Sequence, residues 1–158
     1  MDNLFFVLTL LAAIGSGLMA GIFFIFSNTV MQSLAQLESS AGVASMQAIN
    51  RVILNPMFFI LFMGTAVLSL ILPVTVLVQG GQAGVWFIVA GSLFYLLGDM
   101  LVTILFNVPM NNALDRVSAT GQEAAALWQT YLSRWTWWNH VRTVAALLAM
   151  VMFILGLN

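Results

Sequence analysis

Residues 4–27, 57–78, 84–106 and roughly 138–157 form four long apolar runs. The first two hold no charged side chain, the third is interrupted only by Asp99, and the fourth carries His140 and Arg142 near its start. A bilayer core about 30 Å thick is crossed by roughly 20 apolar helical residues, so each run is long enough to span. Charged residues are 6% of the 158-residue chain, four Arg against five acids with no Lys. A soluble domain carries about a quarter, so this chain cannot coat a soluble surface. The composition excludes a soluble enzyme and a disordered chain. It also excludes a nucleic-acid partner, because four Arg cannot neutralise a phosphate track. With no Cys, disulfides, thiolate metal sites and cysteine nucleophiles are excluded too.

The expected fold is all-α: an integral membrane four-helix bundle, a single domain over 1–158, with spans about 4–30, 56–79, 84–107 and 138–157. The N-terminal run is too long for a signal-peptide core of about 7–15 residues and lacks a basic leader, so it reads as a retained helix. The Gly-rich QGGQAG at 79–84 predicts a tight turn between antiparallel second and third spans. The connections at 31–55 and 107–137 then share the opposite side, and all four Arg lie there or next to it. The positive-inside rule places that side in the cytoplasm and both termini outside. Short amphipathic or interfacial helices are expected in both connections, over 43–53 and over the Trp-rich 122–138. Asn55-Pro56 has the form of an N-cap followed by Pro at the first helical position. In the first span Ala13, Gly17 and Gly21 recur every four residues. That spacing serves either packing inside the bundle or a homo-oligomer through Gly17 and Gly21.

Polar residues inside apolar runs are costly and mark functional positions. Ser92, Tyr95, Asp99, Thr103 and Asn107 fall on one stripe about 120° wide at the helical period, and that stripe faces the bundle interior. Pro109 predicts a break near 107–109, splaying Asn107, Asn111 and Asn112 at the membrane boundary. In the fourth span Asn139 and Thr143 centre a polar face, with Arg142 and His140 on its flanks and about 160° apart. Asn50, Arg51 and Asn55 come from the first long connection, and Phe23, Phe24, Trp135 and Trp138 supply aromatic walls at the same end. One His and one membrane-embedded carboxylate fall short of a usual zinc or iron set, so neither metal nor cofactor is expected. A potential base (His140 or Asp99), a fixed cation (Arg142, with Arg51) and several amides suit an apolar planar ligand bearing a carbonyl or phenolic oxygen.

The strings MQAINRVILNP (46–56), NVPMNNAL (107–114) and RWTWWNHVRT (134–143), set among four apolar spans, resemble the anthrone-oxygenase-like family of small membrane proteins. The resemblance covers residues 10–155 or so. Characterised fungal members oxidise anthrones to anthraquinones with molecular oxygen and no added cofactor. The resemblance therefore implies a cofactor-independent oxygenase acting on an apolar phenolic or carbonyl substrate. It implies motif roles for Asn50, Arg51, Asn55, Pro56, Asn107, Asn111, Asn112, Trp138, Asn139, His140 and Arg142.

On this reading the substrate lies among Phe23, Phe24, Trp135 and Trp138. His140 removes an acidic C–H proton, Arg142 and an Asn amide hold the enolate oxygen, and Asp99 or the Asn cluster orients the base. The expected location is a bacterial inner membrane. A non-catalytic protein binding a lipid or quinone-like molecule in the same pocket is the rival reading. A small transporter or channel subunit using the Asp99–Thr103–Asn107 stripe is the weaker one.

Overall fold

The computed structural model describes residues 3–78 and 84–157. Four long helices in that range are α1 (Asn3–Leu34), α3 (Pro56–Val78), α4 (Val85–Asp115) and α5 (Gln122–Leu155). A shorter one, α2 (Ser39–Ile53), lies between α1 and α3. Each of the four is long and apolar enough to cross a membrane. The chain is thus an all-α, multi-pass membrane bundle, as its composition requires. The Gly-rich turn expected at 79–84 lies outside the described residues except for Gly84, whose φ of 88° opens α4.

α1 packs on α5 and α3, and α4 packs on the same two helices, which closes the bundle. Small residues set the approach. A Cβ on Gly15 would strike the Thr65 hydroxyl of α3, and one on Gly17 would come within 2.6 Å of Met150 Sδ on α5. Gly91 and Gly98 admit Phe153 and Ala145 in the same way. Gly17 therefore serves packing within the bundle, whereas Gly21 meets nothing within 4 Å. At the start of α3 the Asn55 carboxamide oxygen accepts from Phe58 N at 3.1 Å, with Pro56 as the first helical residue.

One expectation about the connections fails. The chain does not break at 107–109; α4 continues to Asp115. The segment just before Pro109, Thr103–Asn107, is π-helical. Bonding from i to i+5 widens that turn, so the proline ring avoids the carbonyl that it would strike in a regular α-helix. The Trp-rich 122–138 is helical and enters the fourth span, as expected. It runs unbroken into α5, with a π-helical turn at Tyr131–Trp135.

Apolar packing divides into two clusters. One fills the bundle, with Met19, Phe23, Leu72, Ile88 and Phe153 among its buried members. The other sits at the end where α2 folds over α4 and α5, around Met46, Leu114, Trp128 and Tyr131. Gly42 of α2 makes that overlap possible, since a Cβ there would meet the Trp128 ring at 2.9 Å. The amide of Gln47 donates to the carbonyls of Leu114 and Val117 at 2.8 and 3.0 Å, tying α2 to the end of α4.

Candidate functional site

Where the two clusters meet, five helices enclose a cavity of about 90 Å³. Its walls are mostly apolar: Ile22, Phe23 and Phe26 from α1, Met46, Ile49 and Ile53 from α2, and Phe58 from α3. Leu54, between α2 and α3, is exposed at its rim. The polar lining is Asn50, Thr103, Asn107, Asn111, Asn139 and Arg142, with Trp135 beside them. Three π-helical turns deliver members of this lining: Phe26, Thr103 with Asn107, and Trp135. Such turns shift the side-chain register and recur at functional sites.

Arg142 is the cationic centre. The residue is 5% exposed, and its guanidinium lies 4.1 Å over the Phe23 ring. Nη1 donates to Thr103 Oγ1 at 3.2 Å, and Nη2 donates to Asn139 Oδ1. Asn139 is fully buried, and its own amide donates to Phe23 O and Ser27 Oγ, both at 2.6 Å. α5 thereby grips α1 at the depth where the cation sits. Opposite, Asn111 Oδ1 accepts from Tyr131 Oη and Trp135 Nε1, both at 2.7 Å. Tyr131 stacks between Trp128 and Trp135 at centroid distances of 5.7 and 5.5 Å, giving a rigid aromatic wall. Asn107 Nδ2 donates to Trp135 O at 3.2 Å, which leaves its Oδ1 buried and without a partner. Asn50 Nδ2 and Arg142 Nε are also unpartnered and buried. The lining thus offers one cation, two free donors and one free acceptor to a guest with oxygen atoms.

Several residues expected at the site lie elsewhere. His140 is exposed and lines an outward groove with Phe94, Gly98 and Trp137, on the face of α5 turned away from Arg142. One polar face of α5 can address the cavity, and Asn139 and Arg142 take it. Phe24 is 55% exposed because it follows the inward Phe23 by one residue and so turns outward. Arg51 pairs with Asp115 at 2.9 Å on the surface and joins α2 to α4 instead of entering the cavity. Asn55 caps α3, and Asn112 is exposed. Trp138 stacks on Phe106 at 3.7 Å, outside the cavity lining. Asp99 is fully buried in the bundle one helical turn from Thr103 but does not line the cavity. The structure does bring together Phe23, Asn50, Asn107, Asn111, Trp135, Asn139 and Arg142.

Sequence reasoning did not single out Tyr131. Its signal was there, since Trp128, Tyr131 and Trp135 recur at i, i+3 and i+7, the spacing of one buried helical stripe. Among the described residues no three His, Cys, Asp or Glu side chains cluster as a metal set would.

Residues 57–152, more than half of the chain, match the family model of anthrone oxygenase. The chain belongs to the anthrone oxygenase family. The match takes in α3, α4 and most of α5, and so includes every polar cavity residue except Asn50. No curated protein and no solved structure matches the chain.

Proposed function

We propose that this anthrone oxygenase family member is a membrane-embedded oxygenase. It takes an apolar, planar phenolic or carbonyl substrate and oxidises it at an acidic carbon with molecular oxygen. The observation that carries this reading is Arg142, a buried cation at the wall of an otherwise aromatic and aliphatic cavity. Such a cation stabilises negative charge that develops on a substrate oxygen in a site of low dielectric. An anthrone-like CH₂ that loses a proton places its charge on the ring oxygen, where Arg142 and the free donor of Asn50 lie within the same lining. The electron-rich carbon then takes up oxygen, and R₂CH₂ + O₂ becomes R₂C=O + H₂O. Phe23, Phe26 and Trp135 hold the ring system flat.

His140 is not the base in this proposal, because it faces outward. The apolar rim at Ile53, Leu54 and Phe58 opens between α2 and α3, and an apolar substrate reaches the cavity by that route from the membrane. The cytoplasmic placement of the two long connections and a bacterial inner membrane remain part of the proposal. So does self-association, now through the open face at Gly21 alone.

The test is oxygen uptake by purified, chelator-treated protein in detergent with an anthrone, measured against the autoxidation of the anthrone. Wild type and His140→Ala are expected to exceed background equally, and Arg142→Met to fall to it. Activity that survives in Arg142→Met, or is lost in His140→Ala, overturns the assignment. Uptake at background in wild type moves the protein to the class that binds a quinone-like ligand without turnover.

A further inference from the structure

The bundle contains one buried acid and one buried base among the described residues, Asp99 and Arg142. Asp99 is fully buried, and neither carboxyl oxygen has a hydrogen-bond partner. Arg142 reaches it indirectly. Nη1 bonds Thr103 Oγ1, and that hydroxyl donates to the backbone carbonyl of Asp99 at 2.8 Å. The guanidinium therefore stands at the cavity wall and is linked through Thr103 to the backbone of Asp99.

Other groups around Asp99 cannot compensate its charge. Tyr95, on the same helix, spends its hydroxyl on Phe62 O at 3.0 Å. α3 carries no ionisable side chain over Pro56–Val78, and α1 carries none over Asn3–Leu34. On α5, Tyr131 is engaged with Asn111, and His140 lies in the outward groove beside Gly98.

With both groups ionised the pair is net neutral. An oxyanion arriving at Arg142 would leave the interior with one uncompensated negative charge, which a low-dielectric medium disfavours strongly. We propose that Asp99 takes up one proton when an oxyanion occupies the cavity, so that phenolates and enolates are bound together with a proton. Asp99 acts through Arg142 and Thr103, not by touching the substrate. This inference rests on Arg142 being the partner of the ligand oxygen.

The probe is a hydroxyanthraquinone, which is already oxidised and is titrated into detergent-solubilised full chain at a pH where the free dye is anionic. Calorimetry in two buffers of different ionisation enthalpy counts the protons taken up per dye bound. Wild type is expected to take up one, Asp99→Glu one, and Asp99→Asn none, while Asp99→Asn binds the anionic dye at least as tightly because Arg142 has lost its competing anion. A purely structural Asp99 would leave the proton count unchanged. Equal uptake in wild type and Asp99→Asn, or none in wild type, overturns the inference. The dye does not consume oxygen, so the count is independent of turnover. Uptake that depends on Asp99 in a protein inactive towards anthrone removes the oxygenase reading and leaves this one standing.

Discussion

Asn139 is the residue whose replacement tests the architecture of the cavity most directly. It is fully buried and its side chain takes part in three hydrogen bonds: two donated to α1, at Phe23 O and Ser27 Oγ, and one accepted from Arg142. Hydrogen bonds between helices in a bilayer average about 0.6 kcal/mol each. A bond to a charged group is worth about 1.5–3 kcal/mol. Asn139→Ala should therefore destabilise the bundle by roughly 3–4 kcal/mol, most of it from the guanidinium left short of a partner. Asn139→Asp keeps an acceptor for Arg142 and loses the two donors, so its cost should be about 1–2 kcal/mol. The assay is equilibrium unfolding in mixed detergent micelles, followed by Trp fluorescence. The reasoning is refuted if Asn139→Ala unfolds within 1 kcal/mol of wild type, or if Asn139→Asp is the less stable of the two.

Gly15→Ala drives a methyl group into the Thr65 hydroxyl and should cost about 1–3 kcal/mol of overpacking. Gly21→Ala meets open space and should instead gain about 0.5–1 kcal/mol of helix stability; the same unfolding assay separates the two, and a matched pair of effects would contradict the packing described. Asn111→Ala strands the Tyr131 hydroxyl and the Trp135 indole N–H, which should cost roughly 2–5 kcal/mol and redshift the Trp emission. Asn111→Asp, which retains the acceptor, should show neither effect.

The spans were legible because each is a long, predominantly apolar run, and a bilayer permits little else for such a chain. Asn55-Pro56 was legible because capping is local chemistry: one side-chain oxygen and one ring with a fixed φ suffice. The polar face of α5 was legible as a face but not in its orientation. At the helical period His140 and Arg142 point nearly opposite ways, so only one could address the cavity. That choice is made by partners distant in sequence: Ser27 and Phe23 on α1 and Thr103 on α4. The burial of Trp128 was not legible for a related reason. Trp is at home in headgroups, but Trp128 is 1% exposed because Gly42 of α2 lets that helix close over it. The π-helical turns were invisible, because a turn with one extra residue leaves no mark in the hydropathy pattern. The turn at Thr103–Asn107 explains why Pro109 does not end α4.

Fold stability does not account for the polar residues in this bundle. A buried charged group costs several kcal/mol unless it is paired and hydrogen-bonded, and neither carboxyl oxygen of Asp99 has a partner. A four-span bundle whose interior is otherwise mostly apolar could be closed with a further Leu at 99 and a Met at 142. Instead three helices converge on a single guanidinium, through Phe23, Thr103 and Asn139, and leave its Nε unpaired beside a cavity. Three separate π-helical turns deliver Phe26, Thr103 with Asn107, and Trp135 to that cavity. Each of these departures disfavours the empty bundle, and the proposed function accounts for them together, with a flat apolar guest whose oxygen lies at Arg142. On that proposal the ligand completes interactions that the protein alone leaves open at Asn50, Asn107 and Arg142.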